Sequence, residues 1–241
     1  MSTHPDNTAL TELLSSYDWR KNADISILPE HQTAVDYLLQ TPADVTIMFR
    51  LGTCLMHRHK KPDMAVTVLE HALSLNTAEL FNNLAYACNA TGDTAKARDY
   101  LAESARLTRT SEEIGFATRI EGQVLFTEAE EETSYSNKVL KVTQGVEKCT
   151  QGLTGVTSQS EIARTYNRNA VELLKLARSA PASSRAVVAV ARADAQIKMA
   201  IECWQNTGSD EFTEYKSRTN NTAQEISELM KARKVLSITS R

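Results

Sequence analysis

Hydrophobic positions between residues 80 and 90 recur at the three- and four-residue spacing of a helix buried along one side. Leu80, Leu84, Ala85 and Cys88 fall together, while Asn82, Asn83, Tyr86 and Asn89 fall toward another side. "TGDTAKA" interrupts the pattern, with Gly92 suited to end a helix and Asp93 suited to cap the next. In "TAKARDYLAESARL" the inner positions are then Ala97, Leu101, Ser104 and Leu107. Ala85, Ala97 and Ser104 are small, which is what lets two antiparallel helices approach closely, so the segment predicts a helix hairpin.

"FRLGTCLMHRHKKPDMAVTVLEHALSLN" repeats the plan. Leu51 and Gly52 stand where Leu84 and Ala85 do, Leu55 where Cys88 does, and Ala65, Leu69 and Ala72 where Ala97, Leu101 and Ser104 do, at offsets of 32 to 33 residues. That period and those residue types, with the large Phe81 in one first helix and "GD" at the turn, resemble two consecutive tetratricopeptide repeats over residues 45 to 107. Ala72 keeps the alanine usual at the last small position, where the second copy has Ser104. The first copy carries one extra residue in "MHRHKKPD", and the link "LSLNTAEL" is about two residues shorter than usual and lacks a proline.

The flanking sequence also has helical spacing. Residues 8 to 18 and 29 to 40 predict two short helices, with Leu10, Leu13, Leu14 and Ala34, Tyr37, Leu38 inward, placed to cap the first hairpin. Thr110 and Glu113 form a capping-box pattern ahead of residues 111 to 126, the first helix of a third, diverged unit whose partner helix does not match the repeat. "EAEEE" at 128 to 132 reads as a solvated helix face. From Thr133 to Leu153 the spacing runs through Val139, Leu140, Val142 and Val146, until "QGLTGVTSQ" breaks it.

Three longer helices follow over residues 159 to 179, 183 to 206 and 210 to 235, with Ser183 or Ser184 and Ser209 or Asp210 as caps. The middle one places Val187, Val190, Ala191, Ile197, Ile201 and Trp204 inward. The last carries only Phe212, Ile226, Leu229 and Met230 and reads as the outside helix. The expectation is an all-α protein: capping helices in residues 1–44, a tetratricopeptide-like repeat domain in 45–126, and a three- or four-helix bundle in 127–241.

Composition narrows the function classes. Gly 8 and Pro 5 are few among 241 residues, which favours helices, and the net charge of -3 gives no general attraction to nucleic acid or anionic lipid. Cys54, Cys88, Cys149 and Cys203 lie far apart with no C-x-x-C pair, which fits a reducing compartment. "MSTHPDNTAL" lacks the pattern of a secretory signal, and no stretch approaches the ~20 apolar residues of a membrane span. A cytoplasmic location is expected.

No phosphate-binding, dinucleotide, nucleophile-elbow or zinc-protease motif occurs, so the expectation is a non-catalytic protein without cofactor. Cys54 and His57 can share a helix face, but His59 falls in a turn and a fourth metal ligand is missing. "HRHKK" from His57 to Lys61 covers an inter-helix turn, with a phosphate or acidic-partner contact as the alternative.

The resemblance implies a concave face, lined by the first helix of each hairpin, that holds an extended or helical peptide. By register it comprises Phe49, Arg50, Thr53 and Met56, then Asn82, Asn83, Tyr86 and Asn89, and further on Phe116, Ile120 and Gln123. Phe49, Met56, Phe116 and Ile120 either form its apolar pockets or pack against neighbouring helices. Asn82 and Asn83 either bond a partner's backbone or are solvated. Asn83 resembles the asparagine with which chaperone-docking members hold a C-terminal carboxylate, but Glu113 and Ala117 stand where the accompanying basic residues belong, which argues against that use.

Two functions are therefore expected as alternatives. One is an adaptor, scaffold or chaperone holding a partner segment in the groove; small bacterial secretion chaperones resemble residues 30 to 126 in layout. The other is a structural subunit of a larger assembly, with the groove filled by the chain's own helix and the C-terminal bundle as the contact.

Overall fold

A computed structural model describes residues 45–57, 60–180, 183–207 and 213–239, leaving the side chains of 183, 184 and 233–239 undescribed. The helices expected over 8 to 18 and 29 to 40 lie outside the described residues, as do the caps expected at Ser209 and Asp210; Ser183 and Ser184 fall within a described helix, but their side chains are not described. Nine α-helices and one short 3-10 turn make up the regular structure among the described residues, so the protein is all-α. The chain divides into two compact units between Arg109 and Thr110, earlier than the boundary at 126 read from sequence.

The first unit holds two hairpins: α1 (Val45–His57) with α2 (Pro62–Glu70), and α3 (Ala78–Ala90) with α4 (Thr94–Leu107). Each depends on a small residue at the crossing. A Cβ on Gly52 would fall 2.5 Å from Leu69 Cγ, so α1 reaches α2 only because position 52 has no side chain. Ala85 and Ala97 are fully buried in the second hairpin, and Ser104 donates from Oγ to the Ala78 carbonyl at 3.4 Å. Met48, Leu51, Leu55, Val68, Leu69, Leu80 and Leu84 fill the core.

The turns follow their residues. Lys60, with φ 53°, reverses the chain after α1, and Pro62 opens α2, where a missing N–H costs nothing. Instead of the family's proline, the short link between hairpins uses a 3-10 turn over Leu73–Leu75. Asn76 at φ 47° then redirects the chain, and Thr77 accepts from the Leu80 N–H at 3.2 Å. Asp93 caps α4 as expected, accepting from the Lys96 N–H at 3.0 Å. Glu70 of α2 accepts from Tyr100 Oη of α4 at 2.9 Å and pairs with Lys96, tying the two hairpins together.

The second unit opens with α5 (Ser111–Glu131) and α6 (Tyr135–Gln151), followed by α7 (Gln159–Arg178), α8 (Ser183–Gln205) and α9 (Thr213–Thr239). Both bonds of the capping box form: the Glu113 N–H donates to Thr110 Oγ1 at 3.1 Å, and the Thr110 N–H donates to Glu113 Oε2 at 2.9 Å. Helix α5 continues past 126 to Glu131, and Glu132, the last residue of "EAEEE", is its extended C-cap. Ala129 of that run is buried, and Glu128 and Glu132 flank Lys141, so it is partly a packed face rather than wholly a solvated one.

Helices α5 and α6 touch backbone to backbone. A Cβ on Gly122 would lie 2.6 Å from the Gly145 carbonyl oxygen and from Cys149 Sγ, and one on Gly115 would lie 2.8 Å from the Gly152 carbonyl oxygen. Arg119, buried, donates to the Gly152 carbonyl and pairs with Glu161, fastening α5 to the turn after α6 and to the start of α7.

Helices α7 and α8 form the other hairpin, and here two expectations need correction. The inner stripe of α8 is Ala186, Ala189, Val190, Ala193, Ile197, Ala200, Cys203 and Trp204; Val187 and Ala191 face outward, and Ile201 is half-buried. Leu140 of α6 is likewise 56% exposed. Alanine wins the inside of α8 because the α7 backbone comes close, as buried Ala170 and Ala177 show. Helix α9 packs on α8 and α7 through Ile226, and Trp204 Nε1 donates to Thr219 Oγ1 at 3.0 Å.

Gly122→Ala should destabilise the protein by about 1–3 kcal/mol in thermal unfolding, because the added methyl meets backbone that has no rotamer to move. The gain in helix propensity, at most ~1 kcal/mol, does not offset this.

Candidate binding surface

The first helices of the two hairpins, α1 and α3, carry eight of the residues assigned to the concave face, and the structure brings part of that set together. His57 at the end of α1 lies over Tyr86 of α3, with ring centroids 5.4 Å apart and planes 13° from parallel. A hydrogen bond of 3.2 Å links His57 Nε2 and Asn83 Oδ1, while Asn83 Nδ2 donates to the Glu79 carbonyl at 2.9 Å. The asparagine that resembles a carboxylate clamp therefore has both ends of its amide bonded within the chain. Asn82 differs. It is fully buried, and neither its Oδ1 nor its Nδ2 has a partner among the described residues.

The other members divide by burial. Met56 belongs to the core, Thr53 is buried with its hydroxyl bonded to the Phe49 carbonyl at 2.9 Å, and Phe49 is half-buried against the core. Arg50 is exposed, Tyr86 and Asn89 are half-buried, and Asn89 Oδ1 lacks a partner among the described residues. Phe116, Ile120 and Gln123 belong to α5 of the second unit. Ile120 is fully buried, Phe116 lies beneath the Arg119 guanidinium at 5.7 Å, and Gln123 Oε1 is unbonded among the described residues. Of the alternatives left open by sequence, packing holds for Met56 and Ile120, and solvation does not hold for Asn82 or Asn83.

Burial pushes the Cys88 thiol up to about 11 and the Cys149 thiol to about 12, and raises Cys203, so each stays protonated near neutrality. Among the described residues no group of three or more His, Cys, Asp or Glu is placed to hold a metal, and His59 lies outside them. Lys60 Nζ donates to the His57 carbonyl at 2.8 Å, so this part of the basic run covers the end of α1. No described helix is long and apolar enough to cross a membrane.

Sequence reasoning passed over one feature, a cleft of about 360 Å3 between α6 and α8 in the second unit. Leu173 and Leu176 of α7 form its floor, Tyr135, Val139 and Thr143 one wall, and Arg185, Val188 and Arg192 the other. The arginines and valine recur at helical spacing, but that signal is legible only once Val187 and Val188 are known to face outward.

With this geometry in view, the chain is an all-α protein of packed helical hairpins. No protein-family model matches it, and neither does any curated protein sequence.

The buried thiols carry a pH dependence. Their folded-state values lie above the ordinary 9.0, so the unfolded chain releases these protons first and stability present below pH 9 is lost as pH rises toward 11 to 12. Unfolding free energies from urea melts at pH 8 to 10.5 should fall by roughly 1 kcal/mol per thiol per pH unit above 9, and Cys149→Ala should flatten that slope relative to wild type.

Proposed function

We propose that the protein is a non-catalytic interaction protein of the cytoplasm, an adaptor or chaperone whose tetratricopeptide-like hairpins hold a segment of a protein partner along α1 and α3. The observation that carries this reading is the Asn82 amide. An amide buried without partners costs about 1–3 kcal/mol, and folded proteins rarely leave one in that state without a use for it. Asn82 has no exposed surface, so a segment's peptide unit, with one N–H and one C=O to match the amide, meets it only when the packing over α3 opens. Phe49, Arg50, Tyr86 and Asn89 supply the accessible rim, where apolar and polar contacts with the segment's side chains are made.

The burial of Thr53, Met56, Asn82 and Asn83 favours a second reading, a structural subunit whose groove is filled by one of the chain's own helices and whose second unit makes the outward contact. Helix α9 is committed elsewhere, since its Ile226 and Thr219 pack within the second unit. Deleting residues 1–44 separates the readings: a gain in partner binding supports self-occupation, and no change supports a groove open to the partner.

Asn82→Leu is close in volume and removes both orphan atoms. It should raise the melting temperature of the free protein by about 2–4 °C per kcal/mol recovered. The same variant should lose one specific protein in affinity purification from the native cell. A partner set unchanged by both Asn82→Leu and a Tyr86→Ala, Asn89→Ala double variant would move the interface off this face.

A further inference from the structure

We infer that the cleft between α6 and α8 is a second protein-docking site, fitted to an acidic amphipathic helix of a partner. It goes beyond the groove on the first unit and stands or falls separately from it. Both walls are two-turn stripes of a helix. Arg185, Val188 and Arg192 follow i, i+3, i+7 on α8, and Tyr135, Val139 and Thr143 follow i, i+4, i+8 on α6, over an apolar floor of Leu173 and Leu176. The trough is two turns long and apolar at its base, and Arg185 and Arg192 reach across it from α8 to Tyr135 and Thr143 of α6, so a third helix seats over it and lowers only its apolar side chains between the walls.

Charge selects among the helices that would fit. The Arg185 guanidinium sits 5.9 Å from the Tyr135 ring centroid, and Arg192 Nη1 donates to Thr143 Oγ1 at 3.0 Å. Both cations are thus held at the rim by neutral groups, and neither has a carboxylate partner among the described residues. Nearby Lys141, Lys175 and Arg178 do: each sits against a glutamate.

Seven helical residues span about 10 Å, so a partner helix lying along α8 can place two carboxylates seven residues apart against Arg185 and Arg192, with the apolar side chains between them entering the cleft. The rim argues for a macromolecule over a small enclosed ligand. Val188 at the lip is 61% exposed and Leu140, next to Val139, is 56% exposed, whereas a small-ligand site buries most of what it holds.

The test selects a phage-displayed library of surface-randomised helical peptides on the intact protein, then measures single peptides by fluorescence anisotropy. Enriched peptides should carry Asp or Glu seven positions apart with large apolar residues between. Their affinity should fall about tenfold or more in an Arg185→Glu, Arg192→Glu double variant and in Val188→Glu, weaken with added salt, and stay unchanged in Asn82→Leu. Exchanging the peptide's acids for lysines should restore binding to the double variant, which a merely misfolded variant would not show.

Enrichment of neutral or basic peptides, acidic peptides indifferent to the double variant, or no enrichment at all would each overturn the proposal. Loss of binding in Asn82→Leu with none in the double variant would place the acidic helix on the first unit instead.

Discussion

Close approach of helix backbones is the constraint on which both units depend. A hairpin of two helices buries its seam only where one side gives up its side chain, and the chain does so with Gly52 under Leu69, with Gly122 against Gly145, and with a run of alanines between α7 and α8. Larger residues then pack around the seam: Leu51, Leu55 and Leu84 in the first unit, Phe126, Leu173 and Ile197 in the second. The order of forces is steric first and hydrophobic second. The small residues set which faces meet, and the area buried by the large ones holds them there.

This order explains what the amino-acid pattern made legible and what it did not. Helix starts were readable, because Asp93 and the Thr110–Glu113 pair act within one turn and need no knowledge of the rest of the chain. The hairpin plan of residues 45 to 107 was readable from spacing, and the link without proline could be followed up to Asn76, whose left-handed backbone no period announces. The inner face of α8 was misread. Hydrophobicity favours Val187 over Ala186, and only a neighbouring backbone at close range reverses that preference. Leu140 was misread the same way.

The candidate groove shows a further limit. Register placed Asn82, Asn83 and Tyr86 on one face of α3, where they are, but could not say that His57 would reach across from α1 to occupy Asn83 and cover Tyr86. Two adjacent asparagines, alike in sequence, end in opposite states, one bonded at both ends and one at neither. Burial and bonding are properties of the assembled pair of hairpins, and they decide which of two identical side chains keeps unused hydrogen-bonding capacity.

The reciprocal bonds of Thr110 and Glu113 stand at the point where the chain passes from one unit to the next. They bond two of the N–H groups at the start of α5 with atoms that come only from residues 110 to 113. The second unit thus carries its own beginning: its leading helix starts from local instruction, whatever precedes it.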